Sequence, residues 1–179
     1  MSLLFHRISG AMSAANVPFL LIGGFAVTAY GSSRNTKDVD VMIYEADYSR
    51  AFAELHRLGY DEFYKSELFS KLKAARVQGP DIDVMFVDRA TFDAVNDHAR
   101  EISVYGVPFR VPQPEDIIAM KLHACVQGGF RREMKDLIDI VTIIETQGLD
   151  AQSPEFRTLC LKFGNAKLFD DILKALRQK

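Results

Sequence analysis

Ile22-Gly23-Gly24, then thirteen residues, then Asp38-Val39-Asp40-Val41, and later Asp81-Ile82-Asp83-Val84-Met85-Phe86, are the stretches that decide how this chain folds. Side chains two apart on a strand share a face, so Asp38 and Asp40 project together while Val39 and Val41 turn to the core. Carboxylates placed about 7 Å apart in this way repel each other and are costly to desolvate. A divalent cation between them removes that cost, and Mg²⁺ takes hard oxygen ligands while leaving room for substrate phosphates. The second acidic stretch repeats the alternation. If the two strands are neighbours, Asp83 joins Asp38 and Asp40 in one cluster. Three such carboxylates can hold two metal ions, one activating an attacking hydroxyl and one neutralising phosphates and leaving group. A single Asp-x-Asp on a solvated strand face is commonplace. Two of them, in a residue type depleted from strands, argue for more.

The glycine pair lies between a buried apolar run, Val17-Pro18-Phe19-Leu20-Leu21-Ile22, and a short helical stretch over 25–30. Glycine at such a turn lets backbone approach a ligand closely, and amides at a helix start bind phosphate. There is no G-x-G-x-x-G and no GxxxxGK[ST], so neither a dinucleotide fold nor a P-loop is indicated. Arg34, Thr36 and Lys37 stand just ahead of the acidic pair, where a cation can meet phosphate or simply balance Asp38 and Asp40.

Working outward, apolar spacing predicts a helix over 3–15, strands over 17–22 and 39–43, and a helix over 46–58 that Gly59 ends. Two short strands are expected within 61–79 and a strand over 82–87. Thr91 is expected to cap a helix reaching Arg100, with a hairpin about Gly106 over 104–111. After Pro112 the texture becomes helical: 115–126, 131–146, 154–163 and 167–177. The reading is an α/β (α+β) chain, with a mixed sheet and flanking helices over 1–112 and a helical subdomain over 113–179. In that second part Lys121 sits in an apolar helix and is expected to face a crevice or snorkel at its rim. Arg132, Asp136 and Asp139 share a helix face read as solvated, with Leu137, Ile138, Val141 and Ile144 as its core stripe. His123 and Cys125 read as packing residues, and Phe25 and Tyr30 as core aromatics.

Composition sets the outer bounds. A chain of 179 residues that is 48% hydrophobic and 26% charged has ample material for a core without disulfide or metal staples. A net charge of −2 excludes a wholly basic nucleic-acid coat. Cys125 and Cys160 are too few and too far apart for a zinc ribbon or disulfide framework. Reduced thiols, Arg7 interrupting any export-type apolar stretch, and no run of about 20 apolar residues lead to a cytoplasmic expectation with no membrane partner.

The glycine pair, the spacer, Asp38-Val39-Asp40 and Asp83 on a later strand resemble the nucleotidyltransferase superfamily related to DNA polymerase beta. The run from Arg34 to Asp40, Lys121-Leu122-His123-Ala124, and Arg131-Arg132 followed by Lys135-Asp136-Leu137-Ile138-Asp139 resemble the abortive-infection (Abi) type nucleotidyltransferase toxins. The resemblance spans about residues 17–145. It implies a nucleotidyltransferase-like mixed sheet and transfer of a nucleoside monophosphate from an NTP to an acceptor hydroxyl, with release of pyrophosphate. Asp38, Asp40 and Asp83 are then the catalytic and metal-binding acids for two Mg²⁺ ions. Gly23, Gly24, Arg34, Thr36 and Lys121 hold the triphosphate, and Lys135, Asp136 and Asp139 shape or serve the site. Implied partners are the nucleoside triphosphate, an acceptor that is an RNA end, a protein or a small molecule, and an antitoxin-like protein. The rival readings are a non-catalytic nucleotide- or partner-binding relative of the same fold, and another Asp-x-Asp enzyme such as a sugar transferase.

Overall fold

The computed structural model describes residues 2–33, 35–128 and 130–177. Two compact units emerge, one of Met1–Ala29 with Arg34–Gln113, the other of Tyr30–Ser33 with Pro114–Lys179.

The first unit runs α1 (Ser2–Ala14), β1 (Leu20–Ile22), α2 (Gly23–Ala29), β2 (Val39–Tyr44), a 3-10 turn (Glu45–Asp47), α3 (Tyr48–Leu58), β3 (Tyr60–Lys65), β4 (Phe69–Ala74), β5 (Ile82–Val87), α4 (Arg89–His98), β6 (Arg100–Val104) and β7 (Val107–Val111). Five strands form one sheet in the order β1-β2-β5-β4-β3. β2 and β5 are parallel at its centre, and the remaining pairs are antiparallel. The sequence alternation is what fixes the register. Val39, Val41 and Ile43 on β2, Ile82, Val84 and Phe86 on β5, and Leu72 on β4 are all buried, leaving the intervening residues on the other face. A one-residue slip would bury the acids and expose the valines. The two clear strands are therefore neighbours, and Asp40 pairs with Asp83.

Local chemistry sets the boundaries. Gly59 closes α3 in a left-handed conformation, φ +107°, with its amide bonded back to the helix end. Tyr105 and Gly106, both at positive φ, make the two-residue turn that joins β6 to β7. Phe5 packs edge-on to Phe25 and Phe109 at 4.9 and 5.5 Å, so Phe25 is a core ring. The cap of α4 is Asp88 rather than Thr91. Its carboxylate accepts from the Thr91 amide at 2.8 Å and hydroxyl at 3.1 Å, a stronger acceptor one residue ahead of the helix.

Behind the sheet the hydroxyls of Tyr48 and Ser70 lie 2.7 Å apart, and both donate to Glu62. Burial, then Glu62 beside it, holds the Tyr48 phenol well above its ordinary range. Tyr60 is fully buried and donates to the Pro80 carbonyl at 3.3 Å. Burial and the nearby Asp81 push it up to about 12. Its neutral form is thus the one the fold favours. Below about pH 10 the phenol is neutral folded and unfolded alike; above it the unfolded chain ionises first and stability declines towards pH 12. Urea midpoints measured from pH 9 to 12 should fall more steeply in the wild type than in Tyr60→Phe. Parallel curves would refute this account of Tyr60.

The second unit contains α5 (Pro114–Gln127), α6 (Phe130–Gln147), α7 (Pro154–Phe163) and α8 (Ala166–Arg177). Ser153 caps α7 by accepting from the Phe156 amide at 3.1 Å. Tyr30 belongs to this unit, buried, with its carbonyl receiving the Gln147 side-chain amide at 3.0 Å. Cys125 and Cys160 are buried and form no disulfide, whereas His123 is exposed rather than packed. Of the apolar stripe expected on α6, Val141 and Ile144 are buried, whereas Ile138 is 62% exposed and Leu137 only half-buried; Asp136, Asp139, Ile140 and Ile143 are buried instead. The buried carboxylates are there because a buried cation meets them, as described below. Among the described residues no helix is long and apolar enough to cross a membrane.

Candidate functional site

β1 ends at Ile22, which pairs with Asp40 on β2, so the turn that follows β1 arrives beside the Asp40 carboxylate. Gly23 makes that turn at φ +61°, a conformation that side-chain-bearing residues rarely adopt. A Cβ there would overlap Asp40 Oδ2 and stand 2.6 Å from the Asp40 Cβ. Glycine is therefore required twice at this position, for its dihedral and for the space. The Gly24 amide points at the same oxygen, 3.4 Å away, and Thr28 ties back to the Gly24 carbonyl at 3.0 Å.

On its other side Asp40 faces Asp83 of β5 in parallel register. Asp83 in turn pairs with Lys71 of β4, whose ammonium lies 2.7 Å from Asp83 Oδ2. Ile22, Asp40, Asp83 and Lys71 thus form one row across four strands. Lys71 and Asp83 keep 38% and 29% of their side-chain surface, so solvent screens the pair and its contribution to stability is at most about 1 kcal/mol. Asp38 is exposed immediately before β2, and its carbonyl accepts from the Thr36 hydroxyl at 3.4 Å. Among the described residues, no three His, Cys, Asp or Glu side chains are gathered closely enough to hold a metal ion by themselves. The donor chemistry still suits one kind of ion. Mg²⁺ is generally bound through one or two carboxylates together with water and substrate phosphates, and Asp40 and Asp83, in register on adjacent strands, are the two that could serve in that way.

In the helical unit the structure gathers three more of the singled-out residues. The Lys121 ammonium lies 2.9 Å from Asp136 Oδ1 and 2.6 Å from Asp139 Oδ2, with the three side chains 9%, 10% and 3% exposed. Lys121 is therefore buried rather than placed at a rim, and the Asp136–Asp139 face of α6 is interior rather than solvated. Lys135 is exposed on α6. Arg34 lies outside the described residues.

Lys71 is the residue that pattern reading passed over. It sits in the least decided segment, 61–79, where the alternation Ser70-Lys71-Leu72-Lys73 indicates a strand but not the strand beside it. Only the register of β4 on β5 reveals its partner.

The five-stranded mixed sheet with flanking helices is the fold of nucleotidyltransferases, and solved structures bear this out. A crystal structure of ANT(2'')-Ia in complex with adenylyl-2''-tobramycin aligns with a TM-score of 0.73 at 18% identity, covering 90% of this chain and 95% of that one. Lincomycin-bound LnuA, a lincosamide antibiotic adenylyltransferase, aligns at 0.58 with 17% identity over 78% and 93%. An antigenic nucleotidyltransferase-like protein from Paracoccidioides brasiliensis gives 0.58 and 20% over 99% and 90%. Comparison with curated protein sequences finds no match. The model of the AbiEii nucleotidyl transferase toxin family, of the type IV toxin–antitoxin systems, matches residues 8–178. The chain belongs to that family.

Proposed function

We propose that the chain is a metal-dependent enzyme that moves a nucleoside monophosphate from an NTP to an acceptor hydroxyl. The observation that carries this reading is the row in which the Gly23 turn, Asp40 and Asp83 stand side by side. Asp40 and Asp83, with Asp38 at the strand entrance, would hold two Mg²⁺ ions. These ions supply the positive charge that offsets the triphosphate and favours the deprotonated acceptor. The bare backbone at Gly23-Gly24 lets phosphate oxygens come close, Thr36 serves the same phosphates, and Arg34 is assigned to them from its place in the sequence motif alone. Asp83 takes the acceptor proton. The freed oxygen bonds to the α-phosphorus, the bond from that phosphorus to the bridging oxygen breaks, and its electron pair leaves with pyrophosphate.

The acceptor is a hydroxyl of an RNA end, a protein or a small molecule. ANT(2'')-Ia, solved with adenylyl-2''-tobramycin, supports a small molecule through shared fold alone. Membership of a toxin–antitoxin family supports an antitoxin-like counterpart, with action in the cytoplasm. The test is incubation with each α-labelled NTP and Mg²⁺ in the presence of total RNA, lysate protein, tobramycin or lincomycin. Label should enter one acceptor class, and should be lost with excess chelator and in Asp40→Asn. Tight Mg²⁺-NTP binding without transfer to any acceptor would replace this reading with that of a non-catalytic relative.

A further inference from the structure

We propose that Lys71 is an internal counter-ion for Asp83 that competes with the divalent cation and withdraws when metal and nucleotide arrive together. This rests on the reading of Asp40 and Asp83 as metal ligands. Two carboxylates held in register on adjacent parallel strands need a positive neighbour. In this structure the lysine from the next strand provides it, with its ammonium 2.7 Å from Asp83 Oδ2. Asp83 stands in register with Asp40 on the neighbouring strand, so a cation shared by the two would meet the carboxylate that Lys71 already holds. Lys71 is suited to leave it. Its side chain is 38% exposed and its ammonium passes 5.7 Å from the Phe69 ring, so a flexible stem can swing the charge from carboxylate to solvent at little cost.

The consequence is a thermodynamic one. Metal binds only the fraction of molecules in which Asp83 is released, so its apparent affinity in nucleotide-free protein is reduced by that fraction. A metal bound to triphosphate brings further contacts and meets the same cost once. Lys71 thus acts as a positioning residue. It holds the Asp83 carboxylate in place beside Asp40 while disfavouring occupation by metal alone.

The experiment is Mn²⁺ titration of the full chain without nucleotide, read by the electron paramagnetic resonance signal of free Mn²⁺. Lys71→Met and Lys71→Gln should each bind Mn²⁺ about 3- to 10-fold more tightly, and Lys71→Arg should stay near wild type. The gain should vanish when Lys71→Met is combined with Asp83→Asn. Unchanged or weaker binding in Lys71→Met and Lys71→Gln, with Asp40→Asn and Asp83→Asn still losing Mn²⁺, would overturn the role of Lys71 alone. Wild-type Mn²⁺ affinity in Asp40→Asn and Asp83→Asn would overturn the metal-site reading beneath it.

Discussion

Gly23→Ala should reduce nucleotidyl transfer by at least about 10²- to 10³-fold, although it adds one methyl group to a residue that makes no chemistry of its own. Two costs coincide. An L-residue held at φ +61° is strained by about 1–2 kcal/mol. The new Cβ also overlaps Asp40 Oδ2, so either the turn or the carboxylate must move. The turn is anchored, because β1 pairs with β2 through Ile22 and Asp40, and Thr28 ties back to Gly24. Asp40 is the freer partner, and its displacement removes a proposed metal ligand from its place beside Asp83. Transfer should therefore fall far more than the melting temperature, which strain of this size lowers by several degrees. Gly10→Ala is the matched control. Gly10 lies in α1 with open space where a Cβ would stand, so it should leave transfer unchanged and stability equal or slightly raised. A Gly23→Ala protein that transfers at the wild-type rate would refute the close-approach role of the turn.

The same contact shows why much of the candidate site's geometry is legible in the sequence. Alternation in Asp38-Val39-Asp40-Val41 and Asp81-Ile82-Asp83-Val84 is local, and burial of the valines aligns the two acidic strands without further information. Gly23 is likewise a local demand of the backbone. What escaped was relational. Lys71 is one lysine among several in a segment of uncertain structure, and its significance depends on the register between β4 and β5. Asp136 and Asp139 fit a solvated helix face on amphipathic grounds, because such reasoning scores a charge as exposed unless it can see the opposite charge. Their partner lies on another helix, 15 and 18 residues earlier in the chain. The cap of α4 is ambiguous in the sequence for a smaller reason: Asp88 and Thr91 both suit the role, and only geometry shows which donates and which accepts.

Lys121→Met should be the most destabilising single change in the helical unit, at about 3–5 kcal/mol. Asp136 and Asp139 are among the few buried charged residues, and Lys121 donates to both. With the ammonium gone, two carboxylates one helical turn apart would remain buried, repelling each other across a space filled by a methionine that cannot donate. The pair of helices that carries them, α5 and α6, would loosen first. Hydrogen exchange should therefore accelerate at amides of α5 and α6 well before those of the central strands β2 and β5. Adding Asp136→Asn and Asp139→Asn to Lys121→Met should recover part of the loss, since neutral amides do not repel and cost less to bury. A Lys121→Met protein with unchanged urea midpoint and unchanged exchange on α5 and α6 would show that the ion cluster contributes nothing to the fold. The size of the expected effect bears on how activity data at this residue are read. A loss of transfer in a Lys121 variant counts toward phosphate binding only in a variant whose helical unit still holds its native protection. Lys121→Arg, which can still reach both carboxylates, offers that comparison.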